Sequence, residues 1–383
     1  ALGEVMYGAS FIEWFGEEVK HAYGDMLPSP LKNSRMMVTK QPVGVVGIIT
    51  PYNFPNAMIT RKVGAALAAG CTVVVRPAHE TPFSALALCE LAERAGIPRG
   101  VINMVTAEST TPSVGLELTT NPAIRKVSFT GSTAVGKLLM GQASTTMKKI
   151  SMELGGNAPF IVFQDADLDV AAEQLLACKF RNSGQTCVCA NRIYVHESIY
   201  DAFVAKFTAL VKDRLKIGHG LSDGVNFGPI ITERGLDKVV AQLDRAVKGG
   251  AKVVLGGKRV EGLAPGWFFE PTILTGVNDS APMACEETFG PLCPIFSFAS
   301  EEEVVKRANS VDVGLAGYFF SRDVGRIFRV AEELQVGMVG VNTGIISTEV
   351  APFGGVKESG VGREGSRYGL EEYLNIKYIN LAF

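Results

Sequence analysis

Lys126-Val127-Ser128-Phe129-Thr130-Gly131-Ser132-Thr133-Ala134-Val135-Gly136 reads as a strand, a glycine turn and the opening of a helix. The same order recurs on its N-terminal side. Val45-Val46-Gly47-Ile48-Ile49, Cys71-Thr72-Val73-Val74-Val75 and Val101-Ile102-Asn103-Met104-Val105 are short apolar runs separated by Ala-rich stretches of helical character. One such stretch, 81–96, carries a capping residue, Pro in its first turn and a closing Gly. Strand and helix in alternation predict a parallel sheet covered by helices on both faces. The fold class is therefore α/β.

Downstream, Phe160-Ile161-Val162-Phe163 begins a second α/β pattern, with Leu236, Val239, Val240, Leu243 and Val247 at helical spacing ahead of Gly249-Gly250. Strand-like runs follow at 252–255, 318–321 and 336–341. Two parallel-sheet domains are expected, one over 1–30 and 43–154 and the other over 155–355. Residues 31–42 and 370–383 are extended, partly apolar and outside the alternation. They are candidate oligomerisation segments, the alternative being that each adds an edge strand to its own domain. A helical pattern already under way at Leu2 leaves no room for a leader or a first strand, so the first domain reads as N-terminally incomplete.

At 383 residues, 47% apolar and 20% charged, the chain is long enough for two sizeable cores. A net charge of −2, without a basic run interleaved with aromatics, argues against nucleic acid and anionic membrane surfaces. No apolar run reaches transmembrane length. Small-molecule chemistry is the remaining default. Seven cysteines, an odd count with Cys187 and Cys189 as the one close pair, fit a reducing compartment better than a disulfide framework. The cytoplasm is expected, with the mitochondrial matrix left open because the first domain reads as lacking its native N-terminus. His21, His79, His196 and His219 lack metal-ligand spacing, so no metal site is expected and acid–base work falls to carboxylates or lysines.

Cys187 stands out among the cysteines. It follows a Gly184-Gln185-Thr186 turn after an apolar helical stretch, where free backbone N–H groups can stabilise a thiolate or an oxyanion. Thirty-four residues upstream, Glu153 lies in Met152-Glu153-Leu154-Gly155-Gly156. A thiolate adds to a carbonyl, and a carboxylate takes the proton from the water that later releases the acyl group. Unpaired cysteines are more often small buried hydrophobes, the expectation for Cys71, Cys89, Cys178, Cys285 and Cys293. The Gly131-Ser132 turn can likewise receive a phosphate at a helix N-terminus, although Gly-Ser-Thr before a helix is more often a plain turn and cap.

Taken in order, Pro51-Tyr52-Asn53-Phe54-Pro55, Val75-Arg76-Pro77-Ala78, the Gly131–Gly136 turn, Glu153-Leu154-Gly155-Gly156, Gly184-Gln185-Thr186-Cys187, Glu287-Thr288-Phe289-Gly290-Pro291 and Pro352-Phe353-Gly354-Gly355 resemble the aldehyde dehydrogenase superfamily. The resemblance runs the length of the chain. It implies an aldehyde dehydrogenase-like fold: two Rossmann-like domains, one binding a dinucleotide and one carrying the nucleophile, plus a small oligomerisation extension. It implies Cys187 as nucleophile, Glu153 as general base, Asn53 with the Cys187 backbone N–H as oxyanion hole, and Lys62 as a proton relay. For the cofactor it implies Thr50, Pro51, Arg76, Ala78, His79, Gly131, Ser132, Gly136, Leu154, Glu287 and Phe289.

Two departures bear on the nucleotide. Arg76 replaces the family's usual Lys, and His79 stands where NAD-preferring members often carry Glu; loss of that acid removes a repulsion against a 2′-phosphate. NADP is slightly favoured over NAD, while Glu80 and Ala107 keep NAD open. Within the superfamily the likeness is greatest to the succinate-semialdehyde dehydrogenases, through 57–62, 179–182 and 342–347. This implies Arg61, Arg181, Ser347 and Phe353 at the substrate, with the two arginines clamping a carboxylate opposite the aldehyde. It also implies a homotetramer or dimer, a place in 4-aminobutyrate breakdown, and a redox switch between Cys187 and Cys189. The competing expectations are glutarate semialdehyde or another ω-carboxy aldehyde, a cofactor-independent thiol esterase, and an inactive nucleotide-binding form.

Overall fold

Strands Val45–Ile49, Thr72–Arg76, Ile102–Met104, Ile124–Thr130 and Lys149–Glu153 form where the β-branched runs lie. They pair in parallel, in the order 149–153, 124–130, 45–49, 72–76, 102–104, with Gly360–Val361 antiparallel along the outer side of Lys149–Glu153. The computed structural model describes residues 1–383, and these divide into two units. Ala1–Leu154, Ser347–Gly354 and Gly360–Phe383 make the first; Gly155–Ile346 and Gly355–Ser359 make the second. The division falls between Leu154 and Gly155, and Ser347–Gly354 clusters with the first unit.

Alternation along the strands separates two cores in the first unit. Val46, Ile48, Val73 and Val75 pack with Phe11 and Phe15 of helix Leu2–Glu18, Ile59 and Val63 of helix Ala57–Ala68, and Leu370 and Tyr373. On the opposite face Ile49, Val127, Phe129 and Met152 meet Leu118 of helix Thr111–Thr120 and Leu139 of helix Thr133–Ala143. Residues 31–42 and 370–383 do not join this sheet as edges. Ser34–Pro42 and Leu374–Ala382 pair with each other along their full length, from Leu374↔Pro42 to Ala382↔Ser34, and Asp25–Leu27 adds a third antiparallel strand. The extended part of the C-terminal segment begins only at Leu374, since Leu370 and Tyr373 are core residues.

The second unit is built on seven strands in the order Lys252–Leu255, Thr272–Thr275, Leu292–Phe298, Ala190–His196, Ala158–Val162, Ala316–Phe320, Met338–Val341. All neighbours are parallel except the first pair. Leu236, Val239 and Leu243 of helix Glu233–Lys248 enter the core with Ile161, Phe163, Tyr194 and Phe296. Helices Leu168–Phe180, Glu233–Lys248, Glu301–Ala308 and Val324–Glu333 each start at a side-chain cap, from Asp167, Thr232, Ser300 and Asp323, worth about 1 kcal/mol apiece. No helix of the chain is long and apolar enough to cross a membrane.

Candidate active site

Helix Ala57–Ala68 is buried from Ala57 to Ala66, so both its cations, Arg61 and Lys62, lie in the interior of the first unit. Buried charges need partners, and Glu364 supplies one. Lys62 Nζ donates to Glu364 Oε1, and Arg61 Nη1 lies 3.4 Å from Oε2. Arg61 Nη2 also donates to the Tyr7 hydroxyl, and its guanidinium stacks 4.4 Å from the Phe353 ring centroid and 4.8 Å from that of Phe11. Arg61, expected at the substrate, has a side chain 1% exposed and held by a carboxylate, a phenol and aromatic faces.

Glu153 closes strand Lys149–Glu153 against Gly360 and is 3% exposed. Its Oε2 has no hydrogen-bond partner. Burial, reinforced by the Glu364 carboxylate, pushes its pKa well above the usual carboxylate range, against the pull of Lys62, Arg61 and Arg363. Such a group holds and yields protons closer to neutrality than an exposed glutamate, as a general base requires. Of the sequence-predicted residues, Glu153, Lys62, Arg61 and Phe353 are thus gathered around Glu364. Sequence reading passed over Glu364 itself. Its one local signal, an acid inside Gly362-Arg363-Glu364-Gly365, gains meaning only from the helix it meets in space.

Asn53 is buried in the turn before helix Ala57–Ala68, after Thr50, buried, and Pro51, partly exposed. Arg76 ends its strand with Nη2 donating to the Ala107 carbonyl at 3.0 Å and to Thr111 Oγ1 at 2.7 Å, while its Nε is buried without a partner. Ala78 is buried, and His79 is exposed with Nδ1 3.3 Å from Glu80 Oε2. A Cβ on Gly131 would strike the Phe129 ring, and one on Gly136 would strike Leu154, so backbone and helix start lie closer than any side chain allows. The Ser132 side chain makes no cap bond to helix Thr133–Ala143. A helix N-terminus beside a glycine turn can receive a dinucleotide phosphate, and the Arg76 guanidinium can pair with a 2′-phosphate.

In the second unit the chain leaves helix Leu168–Phe180 and turns through Asn182, Ser183 and Gly184, all left-handed with φ of 51°, 56° and 78°. A Cβ on Gly184 would overlap the Gly290 carbonyl. The turn delivers Cys187, partly buried, into a second turn closed by Cys189 N–H donating to Thr186 O at 3.0 Å. The segment is therefore folded rather than extended. Cys189 is buried, its thiol donating to Gly184 O at 3.3 Å, with the fully buried Lys179 Nζ 4.0 Å from its sulfur; burial raises its pKa. Of the cysteines expected to be buried, Cys71, Cys178 and Cys293 are, Cys89 is partly so, and Cys285 is exposed.

Glu286 and Glu287 do not behave as a surface pair. Glu286 binds Arg245 at 3.0 Å, whereas Glu287 turns inward and accepts from Gly156 N–H at 3.1 Å, burial raising its pKa. Asn191 pins this loop: its Nδ2 donates to Asn157 Oδ1 at 2.6 Å and to the Met283 and Glu286 carbonyls, and its Oδ1 accepts from Thr288 N–H at 3.0 Å. Phe289, at φ 54°, follows in the same loop. Arg181 and Ser347 are partly exposed, Arg181 in this unit and Ser347 in the first.

The profile of the aldehyde dehydrogenase family matches residues 1–379. The chain belongs to that family. Among aldehyde dehydrogenases it is 61% identical over 382 residues to the succinate-semialdehyde dehydrogenase (NADP(+)) 1 of Schizosaccharomyces pombe, covering 100% of this chain and 76% of that one. It is 58% identical over 382 residues to the glutarate-semialdehyde dehydrogenase of Pseudomonas aeruginosa, covering 100% and 78%. The crystal structure of succinate-semialdehyde dehydrogenase from Burkholderia pseudomallei superposes with a TM-score of 0.97 at 58% identity, again covering 100% and 78%. The α/β architecture is thus an aldehyde dehydrogenase fold.

Proposed function

We propose that this aldehyde dehydrogenase oxidises succinate semialdehyde to succinate with NADP. The reading rests on the 61% identity, spread over the whole chain, with the NADP(+) succinate-semialdehyde dehydrogenase. Cys187, as thiolate, adds to the aldehyde carbon, and the oxyanion accepts from the Asn53 amide and the Cys187 N–H. The nicotinamide, when bound, supplies the hydride acceptor. Cys187 then carries the acyl group as a thioester. Glu153 takes a proton from water, hydroxide adds to the thioester carbon, and the carbon–sulfur bond breaks to return the thiolate. Lys62 passes protons to and from this carboxylate.

Thr50, Pro51, Arg76, Ala78, His79, Gly131, Ser132, Gly136 and Leu154 would hold the adenosine and pyrophosphate end, and Glu287 and Phe289 the nicotinamide ribose and ring. A glutamate whose one bound donor is a backbone N–H keeps lone pairs for ribose hydroxyls. Arg61, Arg181 and Ser347 are assigned to the substrate carboxylate, with Phe353 against the Arg61 guanidinium. A Cys187–Cys189 disulfide would stop turnover by removing the nucleophile. The strand Leu374–Ala382, with Ile376, Tyr378 and Leu381 exposed, is assigned together with the exposed Phe383 after it to a homo-oligomer contact.

Glutarate semialdehyde is the second reading, favoured by the 58% identity to the Pseudomonas enzyme. Near-ultraviolet absorbance of reduced nucleotide, followed with each semialdehyde and with NADP or NAD, decides among these. NADP reduction fastest with succinate semialdehyde and lost in Cys187→Ala is the expected result. Equal or faster reduction with the five-carbon aldehyde would transfer the assignment, and reduction persisting in Cys187→Ala would refute the thiol mechanism.

A further inference from the structure

We propose that protons released at Glu153 leave the protein along a buried polar row on the first unit's sheet, through Ser151 and Lys126 to the carboxylate of Glu372. This rests on the reading of Glu153 as general base. Each hydrolysis leaves that carboxyl protonated, and at 3% exposure it has little direct access to solvent. The proton has to be carried off before the next turnover.

Lys126-Val127-Ser128-Phe129-Thr130 and Lys149-Ile150-Ser151-Met152-Glu153 alternate polar and apolar residues, a pattern that ordinarily marks a sheet face open to water. Here both strands are interior, and the polar positions are buried: Lys126 and Ser128 at 0%, Ser151 at 3% and Thr130 at 8%. The register sets Lys126 opposite Lys149, Ser128 opposite Ser151 and Thr130 opposite Glu153. Paired positions share a face with Cβ atoms about 5 Å apart, so the six side chains form two adjacent columns.

At the far end the links are direct. Lys126 Nζ donates to Ser151 Oγ and lies 3.3 Å from Glu372 Oε2, and Ser151 Oγ donates to the same Oε2 at 2.9 Å. Glu372 is 21% exposed, so it meets solvent. At the near end Glu153 Oε2 and Thr130 Oγ1 are buried without hydrogen-bond partners, and Ser128 Oγ faces the Tyr373 hydroxyl. Buried polar atoms in that condition are ordinarily satisfied by internal water, which also carries protons between them.

A purely structural role accounts for less. A buried lysine–glutamate pair is commonly no more stabilising than an apolar pair of the same shape, and unsatisfied buried hydroxyls are costly. Burial lowers the Lys126 pKa to about 8, with Lys149 and Lys62 pushing the same way and Glu372 opposing. The Tyr373 ring, 5.0 Å from Nζ, completes the surroundings. The Lys126 ammonium yields a proton to the Glu372 carboxylate, which hands it to solvent, and the amine left behind takes the incoming proton through Ser151. Each group ends in the state it began.

Lys126→Met and Glu372→Gln test the route, the second being partly exposed and so a safeguard if the first does not fold. In dilute buffer we expect kcat to fall by about tenfold with KM unchanged. A pH-indicator dye should show proton release becoming the slow step after the first turnover, and added imidazole should restore the rate. A kcat within about twofold of the parent, or a loss that imidazole does not relieve, overturns the route. Glu153→Gln run alongside separates the two ideas. If it stops turnover while the row variants do not, only the route fails; if it turns over normally, the base assignment fails and takes the route with it.

Discussion

At Glu153 the chain keeps a carboxylate where an amide would be more comfortable. Its pKa in the folded protein is raised by burial and by Glu364, so ionising it costs the native state more than the unfolded one. That contribution to stability is fully present below the unfolded carboxylate pKa and is lost as pH rises through the folded value. Glu153→Gln should therefore abolish acyl-enzyme hydrolysis yet raise Tm at about pH 8, with the gain shrinking towards about pH 5. Thermal melts at the two pH values check this, and a variant no more stable than the parent at the higher one would contradict it. Cys187 and Glu153 were legible because local motifs announce them. Glu364 was not, since its meaning is a charge balance with Arg61 and Lys62 from a distant helix, and the commitment of Arg61 to Glu364 and Tyr7 was hidden for the same reason.

Among the elements, the segment Asn182–Gly184 does the most with the least. Three consecutive left-handed residues reverse the chain after Leu168–Phe180 and set the turn that holds Cys187. Asn and Gly tolerate this conformation, and only Gly fits at 184, against the Gly290 carbonyl. Gly184→Ala should destabilise the protein by about 1–3 kcal/mol and slow alkylation of Cys187 by iodoacetamide. Unchanged alkylation kinetics would show that the turn does not position the thiol. The strand and helix alternation was readable because buried β-branched runs and Ala-rich stretches differ in period. Lys126–Thr130 was legible as a strand, while 149–153 was passed over, and the polar alternation of both hides their burial, because period two reports the pleat and not what lies against it.

For the whole molecule, the pairing of Ser34–Pro42 with Leu374–Ala382 could not be read from either segment, because register between strands over three hundred residues apart leaves no local trace. It leaves an exposed apolar edge at Ile376 and Tyr378, which a soluble monomer seldom carries. Ile376→Asp with Tyr378→Asp should shift sedimentation to a smaller species; an unchanged sedimentation coefficient would place the subunit contact elsewhere. The way the chain returns to the first unit also bears on its birth. All strands of the second unit's seven-stranded sheet are made before Glu364 and Leu374–Ala382, so the older part of the nascent polypeptide waits for the younger. Until then Arg61 and Lys62 lack their counter-charge and Ser34–Pro42 its long partner, which makes this interval the one in which a chaperone has most to shield.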